Sequence, residues 1–467
     1  MLTVEPKLRP VLDPDFLPAA LWHRAYDALV ARDPGARPFA LVLVRTDGSV
    51  FRHDGRVLAA SHPSAALSLT YAERLLKFML WMKGGPQVLV AGADEIAAAL
   101  AAIYAPAGVR AFDHEFMGEK IFGRVFSVTA TPFAALPAIA ETSLPMGRHL
   151  EGCRIGFDLG GSDRKAAALI DGEVVFSEEI AWDPYFQKAP SYHLEGVHDS
   201  LRRAAAHLPR VDAIGGSAAG VYVNNEVRAA SLFRGVAPAD FEQHVRRMFF
   251  TLQERWGGVP FEVVNDGEVT ALAGSMSMND NAVLGVSMGT SQAGGYVTPA
   301  GNITAWLNEL AFAPIDYRPD APRDEWSGDV GCGVQYFSQQ GVGRLAKAAG
   351  FGFPASLPLP EQLVEVQHAM ARGDGRARAI YDTIGVCFGY AVAHYASFYE
   401  IRNLLVLGRV TSWAGGELIL SRAMDVLQAE FPALAESVRL RTPDEKNKRH
   451  GQATAAASLP ALRRAAP

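Results

Sequence analysis

Over the first 145 residues the apolar positions switch between two periods. PAALWHRAYDALVARD (18–33) has the spacing of a helix. FALVLVRTDGSVFRHDG (39–55) alternates instead and predicts strand, turn, strand, with Asp47-Gly48 as the turn. AERLLKFMLWMKGG (72–85) returns to helical spacing and stops at its glycines. QVLVAGADEIAAALAAIYA (87–105) predicts a buried strand and then a helix, and GEKIFGRVFSVTATP (118–132) a further strand. Residues 1–145 therefore predict a small α/β unit, and SLPMGRHLEG (143–152) a linker.

From residue 154 the pattern is renewed. RIGFDL (154–159) predicts a strand, and KAAALIDGEVVFSEEIAW (165–182) two strands around Asp171-Gly172. HDSLRRAAAHL (198–208) is amphipathic, and VDAIGGSAAGVYV (211–223) is a strand entering a Gly- and Ala-rich loop. PADFEQHVRRMFFTLQERWG (238–257) predicts one helix, and FEVVNDGEVTALAGSM (261–276) a strand, a polar junction and a helix start. NAVLGVSMGTSQAGGYVTPAGNI (281–303) repeats the strand–Gly turn–strand theme. Helices at 360–374 and 380–399, a strand at 403–410, a helix at 416–431 and a final helix at 446–465 follow. The two hairpin units, near 155–178 and 283–300, each head a mixed α/β segment. That arrangement predicts two similar halves facing a cleft rather than one doubly wound sheet.

Composition narrows the function classes. The chain has 467 residues, 49% hydrophobic and 20% charged, enough for two to four domains with sizeable cores. A net charge of -6 gives no electrostatic basis for nucleic-acid binding. Cys153, Cys332 and Cys387 match neither a disulfide framework nor a zinc spacing, so a reducing cytoplasm is expected. No signal-peptide pattern and no membrane-length apolar run is visible, so no membrane partner is expected.

The turns carry the chemistry. Glycines at a strand end let backbone N–H groups approach an anion. LGGSDRK supplies Gly160, Gly161, the Ser162 hydroxyl and Lys165, and SMGTSQAGG supplies Gly289, Thr290, Ser291, Gly294 and Gly295. Asp158 precedes the first turn, where a carboxylate can hold Mg²⁺. One such turn is equally well a plain hairpin; two at matching positions favour a clamp on a triphosphate. Neither the Walker A pattern nor GxGxxG occurs. VVNDGEVTALAG puts Asn265 and Asp266 between a strand end and a helix. There Asp266 can accept a hydroxyl proton in phosphoryl transfer, or the pair can serve as a helix N-cap.

Taken in order, FDLGGSDRKAAALIDGE, GGSAAGVYV, VVNDGEVTALAGS, LGVSMGTSQAGGYV, GCGVQYFS and LLVLGRVTSWAGGELIL resemble the ROK sugar kinases of the actin/hexokinase/Hsp70 superfamily. The resemblance covers roughly 154–460. It implies an α/β fold of two ribonuclease-H-like lobes around an ATP cleft (154–280 and 281–467), with 1–145 as an added N-terminal α/β accessory domain. It implies Asp158 to Lys165 and Gly289 to Gly295 as the ATP phosphate and Mg²⁺ motifs, and Asp266 as the catalytic base. Asn265 is placed on a substrate hydroxyl, Glu309 at the sugar-binding Glu of the GExGH motif, and Gly408, Gly415 and Gly416 beside adenosine.

The departures bear on the acceptor. Phe312 stands where the family has a zinc- and sugar-binding His, only Cys332 survives of the CxCGxxGCxE zinc loop, and Val334 takes its Glu position. A lone Cys cannot build a tetrahedral site, so no structural zinc is expected. Trp306 and Phe312 can form an aromatic wall for the substrate or belong to the core. The expectation is an ATP- and Mg²⁺-dependent kinase of a sugar or polyol, possible as a homodimer, without nucleic-acid partners. The alternative is a non-catalytic or regulatory sugar- or nucleotide-binding protein of the same kind.

Overall fold

The computed structural model describes residues 2–141, 146–442 and 451–462. The N-terminal segment opens with α1 (Ala19–Arg32), then β1 (Arg37–Val44) and β2 (Val50–Val57). These strands pair antiparallel from Arg37 opposite Val57 to Val44 opposite Val50. Asp47 accepts the Ser49 N–H and Gly48 takes φ 85°, so the predicted turn residues close the hairpin. Next come α2 (Ala66–Met82), β3 (Gln87–Ala91), α3 (Asp94–Ile103), α4 (Ala111–Glu115) and β4 (Ser127–Ala130). The sheet order is β2-β1-β3-β4.

The predicted strand at 118–132 is confined to β4. Phe116–Lys120 forms a π-helical turn, because Gly118 packs directly against the backbone of Arg124 and Phe126 and the chain reverses at Gly123 with φ 63°.

The middle of the chain builds a five-stranded sheet, β11-β8-β5-β6-β7. Its parts are β5 (Cys153–Leu159), β6 (Asp163–Ile170), β7 (Glu173–Ala181), α5 (Pro190–Ala205), β8 (Ala213–Ala218), the small hairpin β9 (Val221–Val223) and β10 (Glu226–Ala229), α6 (Pro238–Asp240), α7 (Met248–Arg255) and β11 (Phe261–Asn265). The single helix expected over 238–257 is broken. The Arg246 carbonyl accepts the Val227 N–H of β10 at 3.0 Å instead of continuing a helical ladder, and Phe241–Val245 is a wide π turn.

From β11 the chain enters α8 (Asp266–Met278) and a second sheet, β13-β12-β14-β15. It contains β12 (Val283–Met288), β13 (Gln292–Val297), β14 (Asn403–Leu407) and β15 (Arg439–Arg441). The helices of this half are α9 (Gln339–Ala348), α10 (Leu359–Ala371), α11 (Gly375–Tyr395), α12 (Trp413–Glu430), α13 (Pro432–Ser437) and α14 (Gly451–Ala457). The two sheets share one logic. In each an antiparallel hairpin, β5–β6 or β12–β13, lies beside a parallel strand, β8 or β14.

Of the expected final helix at 446–465, the described residues form α14 and leave the helix at Ser458; 446–450 and 463–465 lie outside the described residues, as does 143–145 of the expected linker. Helix α14 lies on the first sheet. A Cβ on Gly156 would fall 1.8 Å from the Ala453 carbonyl oxygen, and one on Gly215 1.7 Å from that of Ala456, so only glycine permits that approach.

The N-terminal segment is sewn onto the second half. Leu12 N–H donates to Thr383 Oγ1 at 3.0 Å and Lys7 N–H to Glu430 Oε1 at 2.7 Å. Asp13 pairs with Arg318 at 2.8 Å and Arg344 at 2.9 Å. One hydrophobic cluster joins Trp81, Phe116, Ile121 and Phe126 to Val221 and Val223 of β9 and to Leu307, Ala311 and Phe312 of the second half. The added segment thus bridges both halves.

Candidate active site

The first Gly-rich turn connects β5 to β6. Gly160 N–H donates to the Asp163 carbonyl at 2.9 Å and the Trp182 indole N–H to the Gly160 carbonyl at 2.8 Å. Ser162 is exposed at the tip. Lys165 lies opposite Asp158 in the hairpin, with its Nζ 3.3 Å from Asp163. Burial lowers the Lys165 pKa, but Asp163 and Asp158 outweigh it and hold the ammonium above its ordinary value. Asp158 is buried and accepts the Ser217 hydroxyl at 2.5 Å across the β5–β8 register; its other oxygen takes no hydrogen bond among the described residues. Burial raises its pKa, against the Ser217 bond and Lys165. One face of the turn is covered, since a Cβ on Gly161 would meet the Tyr185 hydroxyl at 2.0 Å.

The second turn, between β12 and β13, is equally tight: Gly289 N–H donates to the Ser291 carbonyl at 2.9 Å. Thr290 and Ser291 are exposed at its tip. The Gly289 carbonyl accepts the Gln339 N–H at 2.9 Å, which brings the start of α9 beside the turn.

At the β11–α8 junction the two sequence readings are divided between neighbours. Asn265 is the N-cap: its Oδ1 accepts the Gly267 N–H at 2.7 Å and its Nδ2 donates to the Gly220 carbonyl at 2.7 Å. Its amide is thereby engaged within the protein. Asp266 is the first helical residue; its carboxylate accepts the Gly267 N–H at 3.0 Å and has no side-chain partner among the described residues. Burial, then the charge of Asp158, push Asp266 up to about 6. Burial, and after it the charge of Asp266, raises the phenol of Tyr222 in β9.

Glu309 reaches the same place from the second half. Its carboxylate has no hydrogen-bond or ion-pair partner among the described residues. Burial, then Asp266, push it up to about 7. Behind it, buried Glu268 is pushed up to about 8 by burial, although Asn308 and the Tyr296 N–H bond to it. Two half-buried carboxylates, Asp266 and Glu309, therefore share one end of the site without a neutralising cation.

The residues that depart from the zinc motif pack against the N-terminal segment. Phe312 is buried among Trp81, Phe112 and Trp326, with its ring centroid 4.3 Å from that of Trp81. Cys332 and Val334 are buried in the same cluster. Trp306 stacks on Tyr296 at 5.3 Å, with the Lys83 ammonium 2.9 Å from its ring centroid. Phe312 thus packs into the core on one side and lines a small cavity with Ser291, Asp324 and Trp326, while Trp306 is half-buried against the core. All three cysteines are free and buried, and no group of three or more metal-binding side chains occurs among the described residues.

An ion network joins the 324–334 loop to α2 and to Arg110 and Asp113. Asp329 of that loop is buried against Arg74, Lys77 and Arg110, with Arg74 at 3.3 Å and Lys77 at 3.4 Å. Glu73 and Asp113 balance the remaining charge: Lys77 donates to Asp113 at 2.8 Å and Arg110 to Glu73 at 2.6 Å. Burial alone would raise Asp329, yet Arg74 and Lys77 hold it below the ordinary carboxylate range.

The three glycines expected near adenosine have different surroundings. Gly408 takes φ 104° and abuts the Met288 backbone, so it touches the base of the second turn. Gly415 and Gly416 open α12 but are buried against the Tyr381 ring and the Thr411 carbonyl. Exposed Trp413, with φ 54°, is the residue the helix start presents outward.

Several neighbours of the candidate site are not marked by the sequence pattern: Ser217, Tyr185, Asn308 and the Asp329 network. The last left a trace, because Glu73, Arg74 and Lys77 sit in an otherwise apolar helix and buried charges require partners. The others are assembled only by topology.

The two sheets, each carrying a glycine turn in its antiparallel hairpin, make an α/β fold of the actin/hexokinase type. Within that class the chain has the ROK sugar-kinase fold. It is similar to a ROK hexokinase from Thermus thermophilus, with TM-score 0.51 and 18% identity over 65% of this chain and 97% of that one. It is also similar to a ROK family transcriptional regulator, a homologue of the E. coli MLC protein, with TM-score 0.50 and 17% identity over 66% of this chain and 78% of that one. A ROK glucokinase from Streptomyces griseus, solved with glucose and AMPPNP, gives TM-score 0.47 and 20% identity over 66% of this chain and 98% of that one. No protein-family model matches the chain. No curated protein matches it either. Among the described residues no helix is long and apolar enough to cross a membrane.

Proposed function

We propose that the protein transfers a phosphoryl group from ATP to a hydroxyl of a sugar or sugar-like molecule. The observation that carries this reading is the division of labour at the β11–α8 junction. Asn265 takes the cap, so the Asp266 carboxylate is left without a side-chain partner, half-buried and pushed up to about 6. That is the condition of a general base working near neutral pH. The turns at Gly160–Ser162 and Gly289–Ser291 would cradle the phosphates, with Lys165 as the nearby cation. Asp158, with one oxygen free of protein hydrogen bonds, suits a phosphate-bound Mg²⁺; the ion would supply charge neutralisation. Asp266 accepts the hydroxyl proton, and Glu309 holds a neighbouring hydroxyl. Adenosine would lie beside Gly408 and Trp413 rather than on the buried Gly415 and Gly416.

The test is ATP turnover with a panel of sugars and polyols, wild type beside Asp266→Ala. A loss of roughly 10²–10⁴-fold is expected. Equal turnover in both proteins, or ATP binding with no turnover of any acceptor, would overturn the reading. The ROK regulator fold supports a second reading, a sugar-responsive regulator. The four-stranded sheet of the N-terminal segment and the overall charge of -6 speak against direct DNA contact by that segment.

A further inference from the structure

Glu309 has a free carboxylate on a tightly held backbone. Its N–H donates to the Trp81 carbonyl at 2.9 Å, and the Asn308 N–H to the Met82 carbonyl at 3.0 Å. Both acceptors belong to the last turn of α2, where helix carbonyls lack partners of their own. The N-terminal segment therefore completes its helix on the backbone of the candidate acceptor residue.

Asn308 is the hinge of this arrangement. It takes φ 51°, a left-handed conformation that asparagine tolerates better than most residues with a side chain. Its Oδ1 accepts the Tyr399 hydroxyl at 2.7 Å, and its Nδ2 donates to Glu268. The other Glu268 oxygen accepts the Tyr296 N–H at 3.2 Å. Asn308, Glu268 and Tyr399 are all buried, so the clamp is dry and its direction fixed.

We propose that Asn308 is a positioning residue. Gripped by Glu268 and Tyr399 on its side chain and by α2 on its backbone, it aims the Glu309 carboxylate at the acceptor beside Asp266. Residues 2–141 are then a working part of the acceptor site. The proposal rests on the kinase reading, in which Glu309 binds an acceptor hydroxyl. It goes further in assigning the aim of Glu309 to residues that no substrate touches.

Asn308→Gly separates the roles, because glycine keeps the left-handed backbone and both backbone hydrogen bonds while losing the side-chain clamp. Tyr399→Phe removes one arm only and is the milder variant should Asn308→Gly fold poorly. The assay is kcat and KM for the acceptor and for ATP, with the thermal midpoint of each protein. Expected is a rise in acceptor KM of about tenfold or more in Asn308→Gly, and a smaller rise in Tyr399→Phe, as misplacement of a binding group demands. ATP KM should stay within about twofold in both. An active wild type with unchanged acceptor KM in both variants overturns the positioning role. So does an equal change in the acceptor and ATP constants accompanied by a lower midpoint, which would mark a merely structural residue. A wild type that turns over no acceptor overturns the kinase reading, and this proposal with it.

Discussion

Replacing Asp329 with Asn removes one charge from a closed and balanced set. Three cations, Arg74, Lys77 and Arg110, face three acids, Glu73, Asp113 and Asp329, at the joint between α2 and the 324–334 loop. Asp329 is 2% exposed and Lys77 is fully buried at 0%, so water cannot take over the lost charge. Asparagine keeps the oxygen that accepts the Val330 N–H at 2.7 Å, so the loss is chiefly electrostatic. An uncompensated buried charge costs about 3–5 kcal/mol. The assay is urea unfolding beside a control, Asp54→Asn, which breaks a pair whose carboxylate side chain is 59% exposed. The control should cost about 0–1 kcal/mol. The double variant Asp329→Asn/Arg110→Met restores balance and should recover at least about 1 kcal/mol of the loss. A loss no larger than the control, or no recovery in the double variant, would refute the account of this network as the cross-link between segment and loop.

Kinase turnover should rise with pH through about 6 and level off above it, because Asp266 must be deprotonated to accept a proton; a kcat/KM profile flat down to pH 5 would contradict the base assignment. Acid should loosen the joint between α1, β2 and α11. Burial pulls His23 down to about 3 and lowers His53 and His394. The unfolded chain then binds protons the folded one refuses, so stability falls as pH drops below 6.5, by up to about 1.4 kcal/mol per pH unit per histidine. Thermal midpoints measured between pH 4.5 and 8 should decline less steeply in His394→Phe. A metal chelator should leave the midpoint unchanged, since Cys332 stands alone and buried; a clear fall on chelation would show a structural metal.

The periodic parts of the chain were legible because one local rule governs each. The β1–β2 hairpin follows from alternation closed by Asp47-Gly48, and α8 from a strand end followed by a capping Asn. The failures at 118–132 and 238–257 have different causes. In the first the chain folds back on itself within a few residues, Gly118 against Arg124 and Phe126; in the second a contact from β10 takes the Arg246 carbonyl. The site was legible as residue types and not as states. Adjacent letters suggest that Asn265 and Asp266 cap a helix, yet only the packed junction shows which one caps and which stays free. Phe312 admitted a pocket or a core reading; its ring packs on three aromatic neighbours, two of them from the N-terminal segment, and it also lines a cavity with Ser291.

The closeness of α14 to Gly156 and Gly215 also orders events during synthesis. Strands β5 and β8 leave the ribosome by residue 218, but the helix that covers them spans Gly451–Ala457. At roughly 5–20 residues per second, that face waits about 12–48 s for its cover. The emerging chain therefore carries an open apolar surface through about half of its translation. A nascent chain stalled before residue 451 would be a natural client for chaperones.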